Sequence, residues 1–464
     1  MTMSDLRRSA SDFWKEFRKV RSGMIGLIFL VVFICILIFE PIIVPYPEVN
    51  EKWRDITYWQ DLPSSAPPSW INLFTSKKRA VSETIEKYTF SETLAGAMRI
   101  QEYVFEYDYS ASVAPSDVVF HASGVGKPTV VISIERPDGL SVDLYRKQLE
   151  TSPSQDARVS IDRSAQTSAM NFGKKYSPSE GVPLQTIKTT DVLFSKAQEG
   201  IFRNPEPLVG TYRLKVTLLL QKPDERIDNV FISIAGRVHG ILGTDNSKRD
   251  IWSGVIAGVK WAMLIGLLTA LVSVSIGVVY GVISAYVGGW KDSLMQRIFE
   301  IFISVPMLPV LIVMSAVFKP NIWMIIAIMC IFYWVGPVKT VRSMGLQIKE
   351  ETYIEASRAL GASNTRIIFK HMVPLLIPYA FASMALNVPG AIVVEATISL
   401  LGLGDATIVT WGQILQAANS GGAMLSGMWW WVVPPGMAIA FMGMTFAFVG
   451  FAMDKILNPK LKTR

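Results

Sequence analysis

The chain has 464 residues, of which 50% are apolar and 18% charged, with a formal net charge of +7. That is too apolar for an ordinary soluble protein and too charged for one immersed in lipid throughout, so a mixed architecture follows. The positive charge does not point to nucleic acid, because the Lys and Arg clusters flank apolar runs as cytoplasmic membrane loops require. Both cysteines, Cys35 and Cys330, lie inside apolar runs, which excludes a disulfide framework.

Taken in order, Arg7, Arg8, Lys15, Arg18, Lys19 and Arg21 precede an apolar run over residues 24–39. The run passes into Glu40-Pro41-Ile42-Ile43-Val44-Pro45 without the small-residue pattern of a cleavage site. With Ile42 to Val44 included it reaches the ~20 residues that a bilayer span needs. Residues 1–45 therefore read as a cytoplasmic amino terminus and an uncleaved first helix, which places residues 46–238 outside the membrane.

Trp53, Trp59, Pro63, Pro67, Pro68 and Trp70 mark the first third of that insertion, where periodicity is weak and the chain is expected near the membrane surface. After Asp117 the alternation becomes strand-like. Residues 129–136, the turn Pro137-Asp138-Gly139 and residues 140–145 read as a hairpin. Residues 211–221 and 229–238 read as a second β pair around Lys222-Pro223-Asp224-Glu225, and 151–190, rich in Ser, Thr, Gln and Pro, as a long loop. The expectation is a mainly-β, sandwich-like domain carrying no chemistry.

At Leu242-Gly243-Thr244-Asp245, followed by Arg249-Asp250 and Ser253, the chain turns back into the membrane, opening a core over 239–464. Residues 256–286 are apolar, with Gly258, Gly266, Gly277 and Gly281 allowing close helix approach. The run is too long for one perpendicular span, so part of it is expected along the interface. Gly288-Gly289-Trp290-Lys291-Asp292 makes an inner turn, and 294–318 and 321–338 are two more spans joined by Lys319-Pro320. Beyond a polar island, spans at 373–401 and 429–453 flank an outer loop over 402–428, and Lys455, Lys460, Lys462 and Arg464 close the chain.

That makes six spans with both ends in the cytoplasm. Residues 339–373 hold six Lys and Arg and the loop 402–428 holds none, as the positive-inside rule requires. Pro306, Pro309, Pro378, Pro389, Pro434 and Pro435 fall within or beside spans. Such breaks persist only where neighbouring protein or a water-filled path satisfies the freed backbone groups, which favours a transporter over a simple anchor.

In the island, Tyr353, Ala356 and Leu360 fall at i, i+3 and i+7 on one helix face. Gly361 ends that helix, and Ser363 or Asn364 can cap a second. The small Ala356, Ser357 and Gly361 allow another backbone to come close, while Glu351 and Glu355 offer charge to a partner. With six spans in place, the island resembles the EAA loop of ABC importer permeases. The family pattern is Glu-Ala-Ala, three residues, Gly, then nine residues to an Ile-x-Leu-Pro ending. It stands here as Glu355-Ala356-Ser357, Gly361 and His371-Met372-Val373-Pro374.

The chain is similar more specifically to the second, C-type permease of dipeptide and oligopeptide importers. Supporting stretches are the Leu242–Ser253 pattern above, Glu395 with Ser399-Leu400-Leu401-Gly402-Leu403-Gly404 and Trp411-Gly412, Trp429-Trp430-Trp431 with Pro435-Gly436, and Asn458-Pro459-Lys460-Leu461. The resemblance covers 1–45 loosely and 239–464 closely. Lys248 stands where the family usually has Gly, and the family normally has only a short outer segment in place of 46–238.

The resemblance implies an α-helical polytopic membrane protein of the type I importer permease fold, with six transmembrane helices and the β domain inserted. It implies a coupling loop over about 341–373, docking on an ATPase through Glu355, Ala356 and Gly361, and the reading of the island adds Glu351, Tyr353, Ser357 and Leu360 to that surface. The partners implied are a homologous second permease, two ABC ATPases that hold ATP and Mg, an extracytoplasmic solute-binding protein and membrane lipid. This chain itself would bind no cofactor and catalyse no reaction. The cargo implied is di- or oligopeptide, with oligosaccharide as the alternative, and the insertion is read as a brace or docking surface for the binding protein.

Beside these stand plainer readings. Asp245, Arg249 and Asp250 form either a local ion-pair turn that orients the helix or a contact with the binding protein. Glu395, near the outer end of a span, is either a gate or passage residue or a capped, partly hydrated helix end. The Trp429–Trp431 cluster reads as an interfacial aromatic belt. Gly124-Val125-Gly126-Lys127-Pro128 fails as a phosphate loop, since His121 stands in place of the first Gly and Pro128 in place of Ser or Thr. His121, His239, His371 and the two Cys are scattered, giving no metal-ligand cluster and no catalytic constellation. A membrane-tethered sensor or binding protein would explain the outer domain, but it needs a cytoplasmic signalling domain and has no use for the island. A membrane-anchored extracellular enzyme needs a convergent catalytic group in 46–238, and none is legible there.

Overall fold

The apolar runs and the polar insertion separate in space as they do in sequence. The computed structural model describes residues 14–96, 98–151 and 156–457. Its two compact units are Met1–Trp53 with Ser253–Arg464, and Arg54–Trp252. Arg7, Arg8, Lys460, Lys462, Arg464 and the closing Asn458-Pro459-Lys460-Leu461 stretch lie outside the described residues. Helix α1 (Arg21–Ile43) takes the first apolar run, with Pro41 tolerated in its last turn.

The insertion folds as β1 (Glu83–Ile85), β2 (Thr89–Ala95), β3 (Met98–Tyr109), β4 (Asp117–Val125), β5 (Thr129–Glu135), β6 (Ser141–Gln148), β7 (Ala157–Arg158), α2 (Arg163–Tyr176), β8 (Gly210–Leu220) and β9 (Arg226–Ala235). One antiparallel sheet has the order β1-β9-β4-β7 and the other β2-β3-β8-β5-β6. Alternation along β8 turns Tyr212, Leu214, Val216 and Leu218 inward. These share one core with Val130, Ile132 and Ile134 of β5 and with Phe120, Ile232 and Ile234 of the facing sheet. Each such side chain contributes about 1.5–3 kcal/mol by leaving water, so this shared core makes the two sheets a sandwich.

The β5–β6 hairpin forms as its turn residues imply, with Gly139 at φ +76 and its N–H on the Arg136 carbonyl at 2.9 Å. Three expectations are corrected. The strands β8 and β9 are not a pair: β8 lies between β3 and β5, and β9 between β1 and β4. The Glu225 carboxylate accepts the backbone N–H groups of Gln221 (2.7 Å), Lys222 (3.1 Å) and Lys127 (3.2 Å), turning the link into a corner between sheets. The 151–190 stretch is not all loop, because α2 is capped by Asp162, whose Oδ1 accepts from Ser164 N at 2.8 Å and Ala165 N at 3.3 Å. Its buried face is only Ala165, Ala169, Phe172 and Gly173, too slight to stand out in a Ser- and Gln-rich run. Finally, β1 to β3 precede Asp117. All of β2 is exposed and the first five residues of β3 are half-buried, so the period-two contrast there is faint.

The longer helices that follow are α3 (Ile251–Val287), α4 (Gly289–Ser304), α5 (Met307–Val317), α6 (Ile322–Tyr333), α7 (Val335–Lys349), α8 (Thr352–Ala359), α9 (Val373–Leu400), α10 (Trp411–Ser420) and α11 (Trp429–Leu457). Among the described residues five helices are long and apolar enough to cross a bilayer, or six with α4 and α5 as one span bent by 69°. Pro306 sits at that break, as the N-cap of α5. Helix α3 is one unbroken run of 37 residues, about 55 Å long at 1.5 Å per residue. The run thus has no helix break at which a separate interfacial segment would begin.

The small residues of α3 do bring neighbours close. A Cβ at Gly258 would stand 2.5 Å from the Trp411 ring, at Gly266 2.6 Å from Val388, at Gly277 2.4 Å from the Trp334 carbonyl, and at Gly281 2.8 Å from Val341. Helix α1 meets α11 in the same way, with Gly23 against Ala452 and Gly26 against Phe448. Between α8 and α9 the chain makes a π-helical turn over Ile367–Met372. Pro374 has no N–H for the Lys370 carbonyl, and the ladder shifts so that Val373 N–H donates to Ile368 O, five residues back.

Candidate functional site

The island between α7 and α9 is built around α8. A helix of 8 residues is marginal by itself, so its position depends on what it packs against. Ile354 alone is buried in it, at 0% exposure, among Val278, Val282 and Tyr286 of α3, Val341 of α7, and Ile367, Ile368 and Met372 of the π-turn. Tyr286 adds a second tie, its hydroxyl donating to Asn364 Oδ1 at 2.9 Å while the Arg358 guanidinium lies 5.6 Å above its ring.

The opposite side is open. Tyr353 is 42% and Leu360 89% exposed, and Glu351, Glu355 and Ala356 are exposed beside them. The Tyr353-Ala356-Leu360 stripe thus faces away from its own chain with carboxylates around it, which is how an interaction surface looks. Ser357 bonds back along the helix, its hydroxyl donating to Tyr353 O at 2.7 Å. Gly361 ends α8 at φ +81. Its N–H donates to Arg358 O at 3.0 Å and that of Ala362 to Ser357 O at 3.1 Å, the paired bonds of a Schellman end. Ser363 is the cap of the next turn, its hydroxyl accepting Arg366 N–H at 3.3 Å, whereas Asn364 is engaged by Tyr286.

Asp245, Arg249 and Asp250 come together just before α3. The buried Asp245 carboxylate accepts from Arg249 Nε at 2.6 Å, Arg249 N at 2.8 Å and Ser247 N at 2.9 Å. Burial pushes this carboxyl above the usual carboxylate range, against the pull of Arg249. Asp250 stands 3.7 Å from His239 Nε2. Lys248 completes the turn in the left-handed conformation, at φ +68, and its Nζ donates to the Gln60 carbonyl at 2.7 Å. Left-handed backbone costs a Lys roughly 1 kcal/mol, and one such hydrogen bond returns a similar amount. The variant Lys248→Gly is therefore expected to keep wild-type stability within about 0.5 kcal/mol, while Lys248→Ala loses about 1 kcal/mol. Thermal unfolding of the purified chain in detergent checks the order.

Glu395 lies one turn from the end of α9, buried, its Oε1 accepting from Ser399 Oγ at 2.7 Å and Thr410 Oγ1 at 2.8 Å. Thr410 is in turn the N-cap of α10, and Trp411 Nε1 donates to Val255 O at 2.8 Å. A Cβ on Gly412 would stand 2.7 Å from Ala396 and Ser399. The motif residues Glu395, Ser399, Trp411 and Gly412 are thus one packed corner.

One cluster escaped the sequence reading. Asp61, His121 and Asp156 come within ligand distance of one another. His121 Nδ1 is 2.7 Å from Asp156 Oδ1, and its Nε2 is 3.3 Å from Asp61 Oδ2. Arg158 already brings a cation, 2.7 Å from Asp61 and 3.7 Å from both Asp117 and Asp156, and we read the cluster as an ionic network. No spacing signal could have found it, since these residues are distant in sequence and the fold brings the turn at Asp61 and the segment before β7 to His121 of β4.

Residues 277–463 match the family described as binding-protein-dependent transport system inner membrane component, and residues 10–68 the N-terminal TM domain of oligopeptide transport permease C. The chain is 36% identical over 223 residues to the dipeptide transport system permease protein DppC of Bacillus subtilis, covering 48% of this chain and 69% of that protein. It is 33% identical to the oligopeptide transport system permease protein OppC of Haemophilus influenzae, over 47% of this chain and 70% of that one. To the OppC of Bacillus subtilis it is 36% identical, over 48% and 72%.

Proposed function

The chain belongs to the peptide-type permeases of binding-protein-dependent ABC importers, and from that we propose that it forms, with a homologous second permease, the path by which di- and oligopeptides cross the membrane by alternating access. It is a multi-pass membrane protein working with other components of an ABC transporter. The observation that carries the proposal is α8: an apolar stripe turned outward on a short helix held from behind by one buried side chain.

In this reading α8 seats in a cleft of an ABC ATPase. Tyr353, Ala356 and Leu360 make the apolar contact, Glu351 and Glu355 meet basic groups on its rim, and Ser357 and Gly361 keep the approach close. Two such ATPases hold ATP and Mg, and this chain contributes movement and no chemistry. Both termini lie in the cytoplasm and the β sandwich outside, as the basic residues of 339–373 favour. The sandwich braces or receives an extracytoplasmic solute-binding protein. Asp245 and Arg249 hold the chain at its return to the membrane, and Glu395 fastens the corner at the outer end of the passage. The relatives named above carry peptide transport in their names, which favours peptide over oligosaccharide as cargo.

With the chain co-expressed beside its ATPase subunits, a cysteine placed by Leu360→Cys is expected to crosslink to an ATPase and to react with an impermeant maleimide only from the cytoplasmic side. Labelling from outside, or purification of an importer in which residues 351–362 touch no nucleotide-binding subunit, overturns the reading.

A further inference from the structure

We infer that the Asp292–Arg342 pair ties the first turn of the bent span to the α7–α8 body, making both positioning residues that carry movement of α8 into α4 and α5. The inference rests on the reading of α8 as the ATPase-docking helix.

Helix α7 runs into α8 through only Glu350 and Glu351, whose N–H groups still donate to Gln347 O and Ile348 O. Along its length α7 lies tightly on α3. Besides the contacts at Gly277 and Gly281, a Cβ on Gly345 would stand 2.9 Å from Ala285. Ile354 then binds α8 to both helices, so α3, α7 and α8 move as one piece.

Helix α4 is held differently. Most of its side chains are exposed, and Phe299 is its one buried residue, packed with Trp334 and Val338. It begins at Gly288 and Gly289, at φ +64 and +58, and ends at the break before Pro306. A Cβ placed at Gly289 meets nothing within 4 Å, so side-chain packing at the pair of glycines does not fix the direction in which α4 leaves α3. The polar fastening sits in its first turn. Arg342 Nε donates to Asp292 Oδ1 at 2.9 Å and Nη2 to Oδ2 at 2.5 Å, a two-pronged contact. Ser284 of α3 also donates to Asp292, and Gln296 Nε2 donates to Ser284 Oγ at 2.9 Å. The carboxylate thus receives bonds from α3 and α7 together, and a fork of fixed geometry transmits rotation as well as pull. Remove it, and α4 is left with the packing of Phe299 and Phe302 around Trp334, the Tyr280 hydroxyl on Met295 O at 2.6 Å and the Gln296–Ser284 bond, none of which is a two-pronged contact with α7.

The test uses the assembled importer in proteoliposomes and reads peptide taken up per ATP hydrolysed. For Asp292→Ala and Arg342→Ala the ratio is expected to fall about tenfold while assembly and ATP hydrolysis persist. The exchange Asp292→Arg with Arg342→Asp recovers about a third or more of the ratio, because the pair acts as a unit. Arg342→Lys, which keeps charge without the fork, falls between wild type and Arg342→Ala. An unchanged ratio in the alanine variants overturns the inference. So does a parallel loss of assembled complex and hydrolysis, which marks a merely structural pair, or an exchange variant no better than the singles. Failure of the wild-type chain to assemble with any ATPase would instead count against the reading of α8, so the two failures are distinguishable.

Discussion

Valine in place of Gly361 is expected to reduce peptide uptake at least tenfold while the chain still inserts and accumulates at its normal level. At φ +81 the backbone is in the region that a β-branched residue avoids, at a cost of roughly 1–3 kcal/mol. A Cβ there meets nothing within 4 Å, so the effect comes from the backbone and not from a clash. Relaxing that angle breaks the bonds from Gly361 to Arg358 and from Ala362 to Ser357, and α8 loses its defined end. The apolar helices are untouched, which is why insertion survives. Gly361→Asn, which tolerates the left-handed region, should retain far more uptake than Gly361→Val. Labelled dipeptide uptake into inverted-control and right-side-out vesicles, normalised to protein level, makes the comparison. Normal uptake in the valine variant would count heavily against a docking role for this helix end.

The second large effect is expected at Ile354. Truncation to alanine removes the single buried anchor of an 8-residue helix, at a local cost of about 2–4 kcal/mol. That exceeds what so short a helix can sustain, so α8 detaches while α3, α7 and α9 stay folded. Hydrogen exchange should rise over 351–362 and stay unchanged in the spans, and uptake should be lost with ATP hydrolysis running on unproductively. Protection over 351–362 equal to wild type would show that something other than Ile354 holds the helix. The two variants separate the roles of the site: Gly361 sets where the helix stops, and Ile354 sets what moves with it.

Much of this was legible in the chain because it is local. A long apolar run carries its hydrophobic length within itself, so the five or six candidate spans and the polar island among them could be read from composition and charge. The stop at Gly361 and a cap at Ser363 needed only the neighbouring residues. The stripe of Tyr353, Ala356 and Leu360 was visible as a stripe, but not that it faces outward while Ile354 faces in. That choice is made by Val282, Tyr286 and Val341, which arrive from other helices.

Elsewhere the limits have the same cause. The Asp292–Arg342 fork joins residues fifty apart, and Glu395 meets Thr410 across a loop. The two strands β8 and β9 are neighbours in sequence but belong to different sheets, since Glu225 turns the corner and each strand finds other partners. Helix α2 was hidden because four buried positions, only Phe172 of them large, hardly register against a polar background.

By itself, then, the sequence determined which runs are long and apolar enough to cross a membrane, that a sheet-rich insertion interrupts them, and where the polar island between α7 and α9 lies. Those depend on hydrophobic length and on turn chemistry that each segment carries within it. Only the tertiary structure decided which face of α8 is anchored, which strands pair, and which charges meet. Each of these is a choice among partners far along the chain, and packing, not periodicity, makes that choice.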